Sequence, residues 1–485
     1  MTATLWTLLL AQMAMGAFDT IYHHEGTERL AWRPSQRREL QLHGVRNLAY
    51  AVLFACLGWA EAHGAWAWAL GALLLGELGI TLWDFVEEDR TRLLPASERI
   101  THTLLTLNYG AFLALFIPVL AGWALLPTAL VASDQGVLKW LCLLAAIGVI
   151  VSGMRDLAAS ARSPRLTSAP AAALAEVLGE GQTVLVTGGT GFVGSRLVEA
   201  LAGAGHQVIV LSRKPGSAKL AGAVETVGSL DEIPADARID AMVNLAGEPI
   251  SSGLWTKAKR ARIIDSRRNV AEQCRKLAAR LTVPPKVFVT ASAIGWYGIR
   301  GDEILDESSE GRDCFSRQVC LGIESAAQPI EALGIRTVRL RIGLVLDRSG
   351  GLLGRMLTPF EFGLGGPFGK GLHWMSWIHR DDLVRLICHC IADPAITGPV
   401  NAVAPNPVRN RDFTRALGRA LHRPAFLAVP AWPLKLALGQ FAEELLLGGQ
   451  RVVPARAEAS GFVFRYPELG GALAAICGRE KGDAD

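Results

Sequence analysis

The sequence predicts an α/β protein, a doubly wound parallel sheet with a small C-terminal lobe, preceded by an all-α bundle of transmembrane helices. Three observations predict it. Before Gln182 the chain is a succession of apolar runs of helical length. Directly after it, Val184-Leu-Val-Thr-Gly-Gly-Thr-Gly-Phe-Val-Gly194 leads a short apolar strand into three spaced glycines. Beyond that, strand-like and helix-like segments alternate. The mean hydropathy, +0.28 over 485 residues, is too high for an ordinary soluble chain, and the excess lies before Gln182.

Charge and cysteine usage exclude some classes. The formal net charge is +4, and no basic stripe interleaved with aromatics is present, so nucleic acid is not an expected partner. The eight cysteines are scattered without paired spacing, which predicts neither a disulfide framework nor a zinc site. Cys388-His389-Cys390 falls in the apolar run 383–391 and reads as a buried helix face.

Residues 1–19 are apolar but lack the basic start and small-residue cleavage site of a secretory signal, so they read as a retained membrane helix. Four more spans centre on 48–60, 65–83, 104–126 and 138–154, each about 17 to 23 residues with its flanks. Arg29, Arg33, Arg37, Arg38 and Arg46 lie between the first and second spans, and Arg90, Arg92 and Arg99 between the third and fourth. The other two connections, 61–64 and 127–137, carry no Lys or Arg. That alternation predicts five spans in a bacterial-type inner (plasma) membrane, with the N-terminus outside and the remainder of the chain in the cytoplasm. The expected domains are a transmembrane helical domain at 1–155, a linker at 156–181, a nucleotide-binding domain at 182–400 and a C-terminal lobe at 401–485.

Polar side chains accompany the cytoplasmic connections. His23, His24, Glu25 and His43 flank the first, and Asp84, Glu87, Glu88, Glu98 and His102 flank the second. One reading is a metal held by imidazoles and carboxylates in a helical bundle. The interleaved arginines favour the other, an ion-paired interfacial layer, and no metal ligand is assigned. Glu77, inside the third span, needs a hydrogen-bond partner or a proton.

In the glycine-rich turn, Gly188 permits a tight exit from the strand, Gly191 brings bare backbone to a diphosphate, and Gly194 lets the next helix pack closely. The ligand's negative charge then faces unpaired helix N–H groups. Thr187, Gly188, Gly189, Thr190, Gly191, Phe192, Val193 and Gly194 are accordingly assigned to a dinucleotide. An acid about twenty residues beyond the glycines would select NAD. The chain instead has Ser212-Arg213-Lys214, which suits a 2′-phosphate and selects NADP, the competing reading being a solvated basic turn. Asn244, Leu245, Ala246 and Gly247 end the next buried strand with small residues, over which a cofactor lies flat. A long basic helix over 255–280 follows, and a strand over 286–290 delivers Ser292 and Tyr297 to the carboxyl edge of the sheet.

Six motifs then occur in order: Thr187-Gly-Gly-Thr-Gly-Phe-Val-Gly194, Asn244-Leu-Ala-Gly-Glu-Pro-Ile250, Ser292-Ala-Ile-Gly-Trp-Tyr-Gly298, Leu364-Gly-Gly-Pro-Phe368, Trp377-Ile-His-Arg-Asp-Asp-Leu383 and Val403-Ala-Pro-Asn-Pro-Val-Arg-Asn410. Together they resemble the atypical extended short-chain dehydrogenase/reductases of the NAD-dependent epimerase/dehydratase group. The branch resembled ends in a small domain of unknown function, here Leu447-Gly-Gly-Gln-Arg451 through Gly461-Phe-Val-Phe464. The resemblance spans 183–476 and leaves the membrane part outside. It implies a Rossmann sheet binding NADP, a small substrate lobe, and catalysis by a Ser with a Tyr-x-x-x-Lys pair that relays a proton during hydride transfer.

The chain departs from that engine. Its corresponding helix reads Cys314-Phe-Ser-Arg-Gln-Val-Cys-Leu-Gly-Ile-Glu324, and with Glu324 in register Ser316 and Cys320 replace the Tyr and Lys. Ser292, to polarise a carbonyl, and Tyr297, as the remaining acid, become the expected catalytic residues, with core packing the competing role for Tyr297. Cys320 reads as a buried thiol, His379 as a pocket candidate, Asp381-Asp382 as a helix cap, and Arg341 and Gly343 as architecture.

The leading expectation is a membrane-tethered NADP(H)-dependent oxidoreductase or epimerase acting on a small substrate, lipid-associated ones included. A non-catalytic NADP(H) sensor competes with it because the Tyr-x-x-x-Lys pair is missing, and a metal or redox role of the bundle is a third class. The expected partners are the substrate, the membrane and, from the family resemblance, a second copy paired through two helices.

Overall fold

The apolar runs at the start of the chain become helices in the computed structural model, which describes residues 1–217, 222, 224–251 and 253–479. The chain divides into two units, Met1–Thr167 and Ser168–Asp485. In the first, α1 (Ala3–Phe18) passes into a π-helical stretch, Asp19–Glu28. The helices α2 (Arg37–Trp59), α3 (Ala65–Thr91), α4 (Ala96–Ala124) and α5 (Val137–Arg162) follow. Among the described residues four stretches are long and apolar enough to cross a membrane, Pro34–Trp59, Ala65–Thr91, Ala96–Ala124 and Val137–Arg165. The sequence predicts five. The first falls short because α1 has 16 residues, a rise of about 24 Å against an apolar layer of about 30 Å. Helical bonding widens to the π pattern at Asp19, where the side chains turn polar.

Leu5, Phe54, Phe112 and Phe116 pack the centre of this unit, while Trp68, Leu75, Leu107 and Leu144 stand exposed on its outside. Helices that are apolar all round need a second apolar medium. At one end Ala60–His63 pairs antiparallel with Ala129–Ala132, joining the two connections that lack Lys and Arg. At the other, Arg92, just past α3, reaches Glu39 on the first turn of α2 at 2.9 Å. The two kinds of connection therefore occupy opposite ends of the bundle, as the charge alternation predicts. Glu77 accepts hydrogen bonds from Tyr50 of α2 and from Thr81, both at 2.7 Å, which supplies the partner its depth demands.

The expected linker, 156–181, is a correction. α5 continues to Arg162, and the boundary between units falls after Thr167. Beyond it Leu174, Ala175 and Leu178 are buried in the core of the second unit. Alanine and proline suggest a linker by composition, but the leucines spaced among them have apolar area to bury.

The second unit is built on seven parallel strands: β1 (Thr183–Thr187), β2 (Gln207–Leu211), β3 (Val224–Val227), β4 (Ala241–Asn244), β5 (Val287–Ala293), β6 (Arg336–Ile342) and β7 (Gly398–Ala402). Their order is β7-β6-β5-β4-β1-β2-β3. Between them lie α6 (Gly194–Gly203), α7 (Lys257–Arg280), α8 (Phe315–Glu331), α9 (Gly351–Glu361) and α10 (Arg380–Ala392). Side chains alternate across a strand, and β1 shows the result. Val184 and Val186 join Val198, Leu201, Leu383 and Ile387 of α6 and α10. Leu185 joins Cys274 and Leu277 of α7 and Ala327 and Ile330 of α8. Both faces are covered, so the strand is apolar throughout rather than alternating.

Cys388 and Cys390 of α10 are fully buried in the first of these layers. The sheet crosses the expected boundary at residue 400, because β7 pairs with β6 from Gly398 to Ala402. The remaining chain packs in the same unit, and residues 480–485 of the expected lobe lie outside the described residues.

Candidate functional site

Strand order reverses at β1, which has β4 on one side and β2 on the other, so the connections leaving their carboxyl ends diverge and open a crevice. The glycine-rich turn lies at its mouth. Gly188 has φ +74°, and a Cβ there would stand 2.7 Å from the carbonyl carbon of Leu245. A Cβ on Gly194 would overlap the Gly188 carbonyl oxygen, which the Gly191 N–H already engages at 2.9 Å. Thr190 and Gly191 are exposed at the tip, Phe192 and Val193 half-buried, and Gly189 buried against Val210. Val193, at the N-cap of α6, supplies no side-chain hydrogen bond. The Ser195 N–H bonds the Gly191 carbonyl at 2.9 Å, so α6 starts directly out of the turn with no side chain capping it.

Asn244 holds the floor of the crevice. Thr187 Oγ1 donates to Asn244 Oδ1 at 2.6 Å, as does the Ala246 N–H at 3.3 Å, while Asn244 Nδ2 donates to Thr290 Oγ1 at 3.4 Å. The carboxyl ends of β1, β4 and β5 are tied through this one buried amide, with Leu245 N–H bonded to Thr187 O at 3.0 Å. Gly247 admits Arg267 of α7, whose Nη1 donates to the carbonyls of Glu248 and Ile263. At the end of β2, Ser212 is buried and accepts from the Lys214 N–H at 3.2 Å, while the Arg213 and Lys214 side chains are exposed. The fold therefore gathers the predicted cofactor residues on adjacent strand ends.

It treats the predicted catalytic pair differently. Ser292 is buried and donates to Glu324 Oε1 of α8 at 2.9 Å. Arg341 of β6 clasps both oxygens of Glu324, Nε to Oε1 at 3.0 Å and Nη2 to Oε2 at 3.2 Å, and its Nη1 donates to the Tyr297 hydroxyl at 3.1 Å. That hydroxyl donates in turn to Asn401 Oδ1 of β7 at 2.7 Å. Tyr297 is 0% exposed and packs with Leu305, Val403 and Val452. Burial pushes its phenol up to about 12, with Arg341 and Asn401 opposing. Tyr297 thus points into the core and not into the crevice, which corrects its reading as an available acid.

The helix expected to carry the Tyr-x-x-x-Lys pair is equally committed. Ser316 Oγ donates to Glu444 Oε2 at 2.5 Å, and Glu444 also accepts from the Phe315 and Ser316 N–H groups, capping α8. A Cβ on Gly295 would lie 2.8 Å from Ser316 Cβ, so the loop closes down where a larger side chain would need room. Cys320 donates to Ala293 O at 3.4 Å, and burial pushes its thiol up to about 11. His379, not the aspartates, caps α10, its Nδ1 accepting from the Asp381 N–H at 3.1 Å. Asp381 pairs with Arg196 at 2.9 Å, and Asp382 accepts from the Arg465 and Tyr466 N–H groups. Asn401 and Glu444 escaped the sequence reading because they lie 104 and 128 residues from their partners, with no local pattern to mark them.

A Tyr297→Phe variant should lose about 1–3 kcal/mol of stability, since Asn401 is left without its donor. The folded phenol titrates above the unfolded one, so its contribution is whole below pH 10 and falls as pH rises from 10 towards 12, by up to about 3 kcal/mol. Chemical denaturation at stepped alkaline pH measures both effects; a Tyr297→Phe curve parallel to wild type across that window contradicts the burial argument.

Residues 184–402 match the NAD dependent epimerase/dehydratase family, and residues 429–476 match a domain of unknown function, DUF1731. Epimerase family protein SDR39U1 of Bos taurus is 38% identical over 295 residues, 60% of this chain and 98% of that protein. An epimerase family protein of Mycobacterium bovis is 38% identical over 291 residues, 60% of this chain and 96% of its own. The crystal structure of human epimerase family protein SDR39U1 (isoform2) with NADPH aligns with a TM-score of 0.56 at 34% identity, covering 61% of this chain and 99% of that one.

Proposed function

The chain belongs to the NAD dependent epimerase/dehydratase family, and from that premise we propose that it is a membrane-anchored, NADP(H)-binding oxidoreductase or epimerase of a small-molecule substrate. The carrying observation is the uncapped N-terminus of α6 behind Gly188 and Gly194, at the point where strand order reverses. That turn fits a pyrophosphate, because a side chain at either glycine would collide with the backbone of Leu245 or Gly188 and force open the close approach of strand end, turn and helix.

Arg213 and Lys214 at the end of β2 suit a 2′-phosphate, and the NADPH in the human relative supports the same choice. When bound, the dinucleotide supplies or accepts a hydride. The chain's own residues do the rest of the holding. The α6 amides and Arg213 bind the two phosphate regions, Asn244 keeps the strand ends in register, and Leu245 to Gly247 leave a flat floor. The helical unit supports anchoring through its exposed apolar exterior, and its arginine-rich end supports placing the sheet unit in the cytoplasm.

A second reading, a non-catalytic NADP(H) sensor, is favoured by one observation. The hydroxyl protons of Ser292 and Tyr297 are both donated to buried protein acceptors, so neither is presented to a substrate.

NADPH titration of the full chain should show tighter binding than NADH, and Arg213→Ala should weaken NADPH by about 10- to 100-fold while leaving NADH nearly unchanged. Equal affinity for the two nucleotides, unaffected by Arg213→Ala, would remove the NADP assignment. Incubation with 4-deuterated NADPH and a metabolite extract separates the two readings: stereospecific transfer of label to a product supports the enzyme, and no transfer at saturating NADPH supports the sensor. Retention of the full chain in alkali-washed membranes checks the anchor, and release into the supernatant contradicts it.

A further inference from the structure

The charged end of the helical unit holds a cluster that ion pairing leaves incomplete. The π-helical turns after α1 place Asp19, His23 and His24 inside the unit, against Glu39 and His43 of α2, Asp84 and Glu88 of α3, and Glu98 and His102 of α4. The π pattern recurs at functional sites because it re-aims side chains at the cost of poorer helical bonding. Glu39/His43 and Glu98/His102 are each four residues apart, so carboxylate and imidazole share one helix face.

Asp19, Glu39, Asp84, Glu88 and Glu98 are all buried, with Arg46 and Arg92 as their arginine partners. The buried carboxylates beyond those two arginines draw their positive charge either from the imidazoles of His23, His24, His43 and His102 or from a bound cation. Arg92 takes Glu39 at 2.9 Å, Glu98 at 2.7 Å and Glu88 at 3.4 Å, yet each carboxylate oxygen keeps a second lone pair.

The imidazoles provide the second observation. His24 has 9% of its side chain exposed and its Nε2 makes no hydrogen bond, whereas His43 Nε2 is already paired with Asp84 Oδ2 at 2.9 Å. His24 Nε2 faces Asp19 Oδ2 at 3.2 Å and Glu98 Oε1 at 3.7 Å. His102 faces Asp19 Oδ2 with Nε2 at 3.3 Å and Glu88 Oε2 with Nδ1 at 3.4 Å. Charge-assisted hydrogen bonds would be shorter, about 2.7–2.9 Å. Within the group His24, Glu88, Glu98 and His102 the contacts are longer, 3.7 Å from His24 to Glu98 and 3.4 Å from His102 to Glu88, near the edge of a donor tetrahedron, about 3.4 Å when metal–ligand bonds are about 2.1 Å. One ligand atom from each of His24, Glu88, Glu98 and His102 lies within 4.8 Å of all the others, and Glu39, His43 and Glu88 form an adjoining group by the same measure.

We propose that the helical unit binds a divalent transition-metal ion through His24, Glu88, Glu98 and His102, with the Glu39–His43 group beside it sharing Glu88. Two imidazoles with carboxylates suit zinc, iron(II) or manganese(II). The ion supplies the missing buried charge and gives the His24 nitrogen a partner.

The test uses the detergent-solubilised full chain, stripped with a chelator and titrated with Co2+. Stoichiometric binding, one or two ions per chain, with visible ligand-field bands is the expected result. His24→Ala/His102→Ala should abolish those bands, whereas His23→Ala should keep them, because His23 faces Asp19 and Ser97 and lies outside the ligand group. Failure of the wild-type chain to bind Co2+ at micromolar concentration overturns the proposal and leaves an ion-paired polar layer. Unchanged bands in the double variant overturn it too. Should the double variant lose its helical circular dichroism, His102→Gln is read instead, and unaltered Co2+ affinity there counts against the site.

Discussion

A buried ion pair, Glu324 with Arg341, organises the reacting edge of the sheet unit. It joins α8 to β6, and through the leftover oxygen and nitrogen valences it also holds Ser292 of β5 and Tyr297 of the following loop. Tyr297 passes the connection to Asn401 of β7. Neither charge can be withdrawn cheaply: removing one partner of a buried pair strands the other, typically at about 3–5 kcal/mol. The network explains why neither Ser292 nor Tyr297 presents its hydroxyl as a free acid. Both hydroxyls serve the network, and the loop at Gly295 packs tightly onto α8 beside Ser316, with Cys320 donating to Ala293 O.

The cofactor half of the crevice rests on the opposite strategy, absence of side chains. Gly188 and Gly194 allow backbone to touch backbone, and Asn244 supplies the one polar tie that keeps three strand ends level. The turn itself carries no formal positive charge. In the proposed reading the diphosphate meets bare backbone there, and the exposed cations Arg213 and Lys214, one strand away, discriminate between nucleotides.

In the helical unit polarity is sorted by end. The hairpin between 60–63 and 129–132 closes the end without Lys or Arg, and the Arg92-centred cluster closes the other. Two arginines of the alternating pattern, Arg46 and Arg92, also pair with the buried carboxylates Asp84, Glu39, Glu88 and Glu98.

Much of this was legible in the residues. The continuous apolar run of β1, the glycine turn, the alternation of strands and helices, the buried Cys388 and Cys390, and the separation of the two kinds of connection in the helical unit all follow from local rules, because each depends on neighbours within a few positions. The linker was misread because composition masked Leu174 and Leu178, whose burial depends on a surface formed later in the chain. Tyr297 was misread for the same physical reason. A tyrosine at a strand end carries an identical local signature whether it faces a crevice or a core, and its direction is decided by Arg341 and Asn401, 44 and 104 residues away. The chain by itself determined the cofactor turn and the two-part architecture, since backbone conformation and apolar periodicity are short-range properties. Tertiary structure alone decided which polar groups are spent on one another and which remain for a ligand, since hydrogen-bond partners are allotted only when distant segments meet.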